Sequence, residues 1–214
     1  MEPKIQNIID RLRIELNNPL PGESAFRRVL PPDRTLDPPS GITEINQAAV
    51  LMLLFPRKGK LSTVFIRRPS FMKFHAGQIA LPGGQFEPED KNLTETALRE
   101  AAEEIGINSG QVEIIGRLST LYVRISNFSI HPFIGWSSVV PSFHLDTNEV
   151  ADIHIISVDD LLNPEILQDR KVETSHGLNE FPGFHLDDIF IWGATAMILS
   201  EFIEVYKKAF DFRL

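Results

Sequence analysis

A glycine turn followed by a short acidic helix constrains this chain more than any other feature. The turn is Pro82-Gly83-Gly84, and hydrophobic spacing predicts a helix over residues 93–107. Asn92 is a suitable N-cap for that helix, and Glu95 can complete a capping box. Because glycine has no side chain, the backbone of the turn can approach a ligand closely. The segment therefore predicts a ligand-binding loop at the start of a helix.

Three glutamates share one face of the predicted helix, and they are Glu100, Glu103 and Glu104. Their positions i, i+3 and i+4 place neighbouring Cβ atoms about 5–6 Å apart. The carboxylates repel one another, and Arg99, four residues before Glu103, offsets part of that repulsion. Oxygen-only ligands suit Mg²⁺ or Mn²⁺, which keep water ligands and bind phosphates. Glutamates on a helix are more often simply solvated. The metal site is favoured here by the glycine loop, because the Gly84 backbone can add a ligand.

The remaining pattern predicts an α/β fold with a mixed sheet between helices. An amphipathic helix is expected over residues 4–17, an extended Pro- and Gly-rich connector over 18–45 and a terminal helix over 195–210. Strands are expected at 48–55, 61–67, 112–123, 128–140, 151–158 and 184–192. The predicted division is an N-terminal helix with a wrapping extension over residues 1–45 and one globular domain over residues 46–214.

Composition excludes several classes of function. The chain has no cysteine, so disulfides, cysteine-bound zinc and thiol nucleophiles are excluded. Its formal net charge is −8 and it has no basic tract, which makes nucleic acid a poor partner. No signal-peptide pattern and no apolar run of about 20 residues is visible. We therefore expect a cytoplasmic protein without a membrane partner.

The second half of the acidic helix matches a known motif. From Gly84 the sequence reads Gly84-x5-Asp90, then eight residues, then Arg99-Glu-Ala-Ala-Glu-Glu-Ile-Gly-Ile107. This resembles the Nudix box, Gly-x5-Glu-x7-Arg-Glu-u-x-Glu-Glu-x-Gly-u, in which u is apolar. The first half departs twice, since Asp90 replaces a glutamate and one residue is inserted before Arg99. The resemblance implies a Nudix-type α/β/α sandwich and a hydrolase that cuts a pyrophosphate bond with Mg²⁺ or Mn²⁺.

The roles that this resemblance implies centre on the helix. The implied metal ligands are Glu100, Glu103, Glu104 and the backbone of Gly84. Arg99 is expected to orient one of the glutamates. The general base is left between Glu103 and Glu149, of which the second precedes a predicted strand. All of these residues are therefore expected to belong to the catalytic site.

The segment before the box is similar to the coenzyme A pyrophosphatase branch of the Nudix superfamily. That branch has approximately Leu-Leu-Thr-x-Arg-(Ser/Ala)-x3-Arg-x3-Gly-x3-Phe-Pro-Gly-Gly. Arg68, Gly77 and Pro82-Gly-Gly match by spacing, whereas Pro69, Lys73 and Leu81 replace the usual residues. The resemblance implies hydrolysis of coenzyme A or an acyl derivative to 3′,5′-adenosine bisphosphate and (acyl-)4′-phosphopantetheine. The implied substrate-binding residues are Arg68, Lys73, Gly83 and Gly84.

Two alternatives stay open at this point. One is a Nudix pyrophosphatase for another nucleoside diphosphate derivative, such as a nucleotide sugar or a dinucleoside polyphosphate. The other is a Nudix-like regulatory domain that binds a nucleotide without catalysis, although a pure binder has no need of mutually repelling glutamates. By analogy with the family, and from its apolar terminal helix, the chain is also a candidate homodimer.

Overall fold

The computed structural model describes residues 3–31, 35–42, 44–72, 75–174 and 177–210. The helices in these ranges are α1 (Pro3–Leu16), α2 (Glu23–Phe26), α3 (Leu93–Ile105), α4 (Val158–Leu161) and α5 (Gly193–Ala209). The strands are β1 (Asn46–Arg57), β2 (Lys60–Arg67), β3 (Ile79–Ala80), β4 (Gly83–Gln85), β5 (Glu113–Arg117), β6 (Leu121–Val123), β7 (Phe128–Trp136), β8 (Asp152–Ser157), β9 (Leu167–Thr174), β10 (Gly177–Leu186) and β11 (Ile189–Trp192). Two short 3₁₀ turns cover Ser109–Gln111 and Pro164–Ile166.

The predicted N-terminal amphipathic helix is confirmed as α1. Its apolar stripe is buried and consists of Ile5, Ile9, Leu12 and Leu16. The helix packs against α5 and β5. The connector that follows is not simply extended, because it contains α2 and buries Phe26 and Val29 in the same core. Apolar side chains inside the Pro- and Gly-rich segment thus attach it to the body of the protein.

The main sheet is mixed, as the sequence predicts. Its central path runs in the order β3-β2-β1-β7-β5, with β4 beside β1, β6 beside β7 and β8 beside β2. The β1–β7 pair is parallel, whereas β1 is antiparallel to both β2 and β4. The predicted hairpin is confirmed, with Arg57 opposite Lys60 across its turn. A second, antiparallel sheet has the order β11-β10-β9.

Alternate residues of β1 enter two different cores, which shows that the sheet lies between helices. On one face Ala49, Leu51, Leu53 and Phe55 join the apolar side of α3. On the other face Met52 and Leu54 join α1 and α5. The chain thus has the predicted α/β/α sandwich architecture, and α3 lies with its acidic residues on the opposite face of the sheet from α1 and α5.

Two strand predictions need correction. The expected strand over 112–123 is interrupted, since β5 ends at Arg117, β6 begins at Leu121 and a register shift lies between Ile114 and Gly116. The expected strand over 184–192 is wrong, because it spans the end of β10, a turn and all of β11. The sequence gives no signal for β9, whose residues are mostly exposed and polar. A strand without a buried face has no alternation of apolar residues.

A buried carboxylate on α5 holds three parts of the chain together. Glu201 is fully buried and accepts hydrogen bonds from the Gly22 backbone N–H at 2.7 Å and from the Ser119 N–H and hydroxyl at 2.8 and 2.6 Å. These donors compensate the cost of burying a charge.

Neither α5 nor another helix in the described ranges is long and apolar enough to cross a membrane.

Candidate active site

The acidic helix α3 begins and ends close to its predicted limits. The Asn92 side chain accepts a hydrogen bond from the Glu95 backbone N–H at 3.0 Å, as an N-cap does. The Glu95 carboxylate accepts from the Lys91 N–H at 2.7 Å, one residue before the N-cap, so the expected capping box is shifted. The helix ends at Ile105, and Gly106 closes it in the left-handed conformation with φ 69°.

The glycine loop lies directly beneath this helix. Gly83 and Gly84 belong to β4, where Gly84 is paired with Ala49 of β1. A Cβ atom on Gly84 would overlap the carboxylate of Glu100, and a Cβ on Gly83 would overlap the backbone of β1. Gly83 therefore requires glycine because of its close approach to the backbone of β1, whereas the Glu100 carboxylate lies immediately above the Gly84 backbone and would be displaced by a Cβ there.

Glu104 is buried, whereas the helical spacing alone predicts an exposed acidic face. Its residue surface is 1% exposed, and its carboxylate accepts a hydrogen bond from the Gly83 backbone N–H at 2.8 Å. Burial is the main cause that raises the pKa of Glu104 to about 8; the Gly83 hydrogen bond and the charge of Arg68 oppose the increase, and the charges of Glu100 and Glu149 add to it. Burial likewise raises the pKa of Glu100, against the opposing effect of Arg99 and together with the repulsion of other glutamates.

Arg68 follows β2 and directs its guanidinium to the same place. Its Nη1 atom lies 3.9 Å from Oε1 of Glu104. Its Nε atom is buried and has no hydrogen-bond partner among the residues that the structure describes. A buried donor without a partner is costly in a folded protein, so the Arg68 guanidinium has a hydrogen-bonding demand that its described neighbours do not meet.

Arg99 connects the loop with the exposed part of the acidic face. Its guanidinium donates to Glu100 at 3.1 Å, to Glu103 at 3.0 Å and to the Gln85 carbonyl at 3.2 Å. It also forms a two-point ion pair with Asp90, at 2.8 and 3.0 Å. Arg99 thus contacts two glutamates, Glu100 and Glu103, and its role in orienting them stays a prediction.

Asp90 occupies the position at which the motif has glutamate and is a nearly buried anchor. Its residue surface is 6% exposed, and it also accepts hydrogen bonds from the Thr96 hydroxyl at 2.9 Å and the Glu87 N–H at 3.1 Å. The hydrogen bond with Arg99 holds the pKa of Asp90 well below its usual range. The inserted residue after Asp90 hides this role in the sequence, although the position within the motif points to it.

The loop, the acidic helix and their arginine anchor coincide with a known domain. Residues 45–176 match the family model of the NUDIX domain. The chain belongs to the Nudix hydrolase family. The family predicted from the helix motif is thereby confirmed, and Nudix hydrolases act on the pyrophosphate bond of nucleoside diphosphate derivatives with a divalent metal ion.

Bacterial Nudix hydrolases are similar to this chain over most of its length. A protein of Pectobacterium atrosepticum named "Uncharacterized Nudix hydrolase NudL" is 32% identical over 178 residues, which cover 82% of this chain and 88% of that protein. A protein of the same name from Photorhabdus laumondii subsp. laumondii is 30% identical over 176 residues, 82% of this chain and 91% of that one. The solved MutT protein from Methanosarcina mazei Go1 has a TM-score of 0.48 at 15% identity, over 80% of this chain and 98% of that chain.

The donor atoms at this Nudix site fit a hard divalent cation. In the described ranges no group of three or more acidic or histidine side chains is already arranged to hold a metal ion. Glu103 is the outlying member, since its side chain is 58% exposed and bonded to Arg99. Glu104, however, is buried and Glu100 partly buried, their carboxylates repel each other, and Glu149 adds to that repulsion. A cation bound by oxygen ligands relieves both effects.

The structure brings most of the predicted Nudix site residues together around Glu104, and these are Arg68, Gly83, Gly84, Arg99 and Glu100. Glu103 lies at the exposed edge of this group. Glu149 lies in the exposed turn before β8, where its N–H donates to the Asp146 carbonyl at 3.0 Å, and its charge acts on Glu100 and Glu104. Lys73, predicted to bind substrate, lies outside the described residues. The roles of all these residues stay predictions.

Proposed function

We propose that this Nudix hydrolase cuts the pyrophosphate bond of coenzyme A or an acyl derivative. The products are 3′,5′-adenosine bisphosphate and 4′-phosphopantetheine or its acyl form. The observation that carries the proposal is the pairing of two residues matched in the coenzyme A pyrophosphatase signature. The Gly77 backbone N–H donates to the Arg68 carbonyl at 3.1 Å, while the Arg68 guanidinium reaches Glu104.

This pairing gives the signature spacing a physical reason. Gly77 has φ 68°, a left-handed conformation that favours glycine, and the Arg68 N–H in turn donates to the Gln78 carbonyl at 3.0 Å. The loop is thereby closed at its base, and Arg68 is fixed beside the acidic helix. A guanidinium binds two phosphate oxygens at once, so we assign Arg68 to the pyrophosphate of the substrate.

The acidic residues are assigned to metal binding. Glu100, Glu103, Glu104 and the Gly84 backbone would hold Mg²⁺ or Mn²⁺. When bound, the ion neutralises charge on the phosphoryl oxygens and lowers the pKa of water. The chain contributes the buried position of Glu104, which its hydrogen bond from Gly83 fixes, and the Arg99 contacts, which orient Glu100 and Glu103.

We assign the general base to Glu149 rather than to Glu103. The Glu103 carboxylate is occupied by Arg99 at 3.0 Å. Glu149 is exposed and its carboxylate makes no hydrogen bond with another described residue, yet its charge acts on both Glu100 and Glu104. A carboxylate with these properties is accessible to water at the edge of the site and can accept its proton.

The test is to identify products after incubation of coenzyme A with the protein and Mg²⁺ or Mn²⁺. We expect the two predicted products by mass spectrometry and a higher kcat/KM than for nucleotide sugars or dinucleoside polyphosphates. Arg68→Ala should reduce turnover. Glu149→Gln should lower kcat by a larger factor than it changes KM. If another nucleoside diphosphate derivative gives the highest kcat/KM, the coenzyme A assignment is wrong.

A non-catalytic role is tested by the same measurement. A binding domain would be stabilised by a nucleotide without turning over any substrate of the panel. Glu103→Gln provides a second comparison, because an unchanged rate in this variant would contradict its assignment to the metal site.

A further inference from the structure

A row of paired residues crosses the main sheet from the glycine loop to β7. Gly84 on β4 is paired with Ala49 on β1, and Ala49 is paired with His131 on β7. Neighbouring strands lie about 4.8 Å apart, so the Cα atoms of Gly84 and His131 are separated by about 10 Å. Paired residues point to the same face of a sheet, which places His131 on the face that carries Glu100.

Hydrogen bonds fix His131 in one neutral form. Nε2 of Gln47 donates to the Ile45 carbonyl at 2.9 Å, so its Oε1, 2.8 Å from His131 Nε2, accepts from that nitrogen. Nδ1 of His131 then accepts from the Thr120 hydroxyl, at 3.2 Å. Burial, and secondly the charge of Arg117, lower the pKa of His131. Both ring nitrogens are occupied, so His131 is a neutral part of the surface and has no free nitrogen for catalysis.

Arg117 provides the positive charge beside this neutral histidine. It is paired with Phe133, two residues along β7 from His131, and therefore points to the same face. Its side chain is exposed, and within the described ranges it makes no ion pair or hydrogen bond. In a chain with a formal net charge of −8, an unpaired guanidinium on the catalytic face is suited to an anionic group of a ligand.

We propose that Arg117 binds a phosphate monoester on the ribose of the substrate. This rests on the proposed function, because coenzyme A carries such a phosphate in addition to its pyrophosphate. With the pyrophosphate between Arg68 and Glu100, the nucleoside half would extend over Ala49 and His131 towards β5. From β4, which carries Gly84, to β5, which carries Arg117, the sheet spans three strand spacings, or about 15 Å. The bound ligand and the long Arg117 side chain would together span this distance.

Binding of product fragments tests this without requiring turnover. We would measure the affinities of 3′,5′-adenosine bisphosphate, 2′,5′-adenosine bisphosphate and adenosine monophosphate by calorimetry. The wild type should bind the 3′,5′-bisphosphate at least about tenfold more tightly than the monophosphate, as one charge-assisted contact provides. Arg117→Ala should abolish this difference while changing monophosphate affinity less than about twofold, and Arg117→Lys should retain part of it.

Arg57→Ala is the matched control, because Arg57 is far from the proposed subsite. It lies on β1 ten residues from Gln47, which contacts His131, or about 33 Å along the strand. It removes the same charge and should leave the bisphosphate preference unchanged. An equal loss in both variants would show only a general effect of net charge and would overturn the subsite. A preference for the 2′,5′-isomer would support the phosphate contact but place the phosphate on the other ribose oxygen.

The outcomes separate this inference from the proposed function. In turnover, Arg117→Ala should raise KM for coenzyme A about tenfold and leave KM for 3′-dephospho-coenzyme A nearly unchanged. A wild type that does not hydrolyse coenzyme A but keeps an Arg117-dependent bisphosphate preference would overturn the proposed function alone. A wild type that hydrolyses coenzyme A but has no bisphosphate preference would overturn the Arg117 subsite alone.

Discussion

The carboxylate of Asp90 contacts two nitrogens of Arg99, with Oδ1 2.8 Å from Nε and Oδ2 3.0 Å from Nη2. This two-point pair connects the loop before α3 with the residues that face the proposed metal site. The Arg99 guanidinium has its remaining contacts with Glu100, Glu103 and the Gln85 carbonyl. Asp90 therefore positions the glutamates through Arg99, although it touches neither of them.

Asp90→Asn should weaken both the fold and the catalytic site. The variant loses the ion pair with Arg99, and we expect a decrease of about 2 kcal/mol in the free energy of unfolding. We also expect kcat/KM to fall by about tenfold or more, since Glu100 and Glu103 lose their common support. Urea unfolding and steady-state kinetics measure the two effects. Asp159→Asn, at an exposed position, is the control, and equal effects in both variants would contradict the positioning role.

The stability of the metal-free protein should decrease as the pH rises. Glu104 has an ordinary pKa of 4.5 and a folded-state pKa of about 8, so the folded state binds this proton more tightly. The stability that this proton contributes is complete below pH 4.5 and is lost as the pH rises to about 8. The total loss in the free energy of unfolding is on the order of a few kcal/mol. Thermal unfolding of the wild type and Glu104→Gln should show this slope only in the wild type.

Added Mg²⁺ should reduce the same slope, because a bound cation stabilises the deprotonated carboxylate. Glu165→Gln, at an exposed position, should behave like the wild type in both conditions. A wild-type slope that Mg²⁺ does not change would contradict the assignment of Glu104 to the metal site.

Gly84→Ala should strongly reduce activity while leaving the fold largely intact. The added Cβ would overlap the Glu100 carboxylate and force it away from the loop. We expect kcat/KM to decrease by about a hundredfold, in keeping with the effect of misplacing a catalytic group by about 1 Å. Far-UV circular dichroism should confirm that the fold is retained. Gly110→Ala, in an exposed turn, is the control and should keep nearly full activity.

Glu201→Ala should destabilise the protein with little effect on the chemical step. It leaves the partly buried Gly22 and Ser119 donors without their acceptor, and we expect a loss of about 3 kcal/mol in the free energy of unfolding. Glu204→Ala on the same helix removes an exposed ion pair with Arg28 and should cost less than about 1 kcal/mol. Similar losses in the two variants would show that the three hydrogen bonds of Glu201 are not the cause.

The sequence predicts well those features that depend on local chemistry. The Asn92 N-cap, the stripe of α1, the β1–β2 hairpin and the mixed sheet follow from capping, helical spacing and turn residues. The pairing of the glycine loop with the acidic helix also follows, because the two are adjacent in the chain. What the motif does not reveal is which strand the loop joins.

The burial of Glu104 depends on contacts between distant segments and could not be predicted from α3 alone. Helical spacing places it beside Glu100, but the Gly83 N–H and the Arg68 guanidinium, which cover it, come from other elements. The relation of His131 to the site has the same origin. It becomes visible only when the parallel pairing of β1 with β7 is known.

The hydrogen bonds of Glu201 have a consequence for dissecting the protein. The segment that matches the NUDIX family ends at residue 176, whereas Gly22 precedes it and Glu201 follows it. A fragment cut to the matched residues would lose the acceptor for Ser119 and expose the apolar surface that α1 and α5 cover. We therefore expect the smallest fragment that folds by itself to be larger than the segment that matches the family.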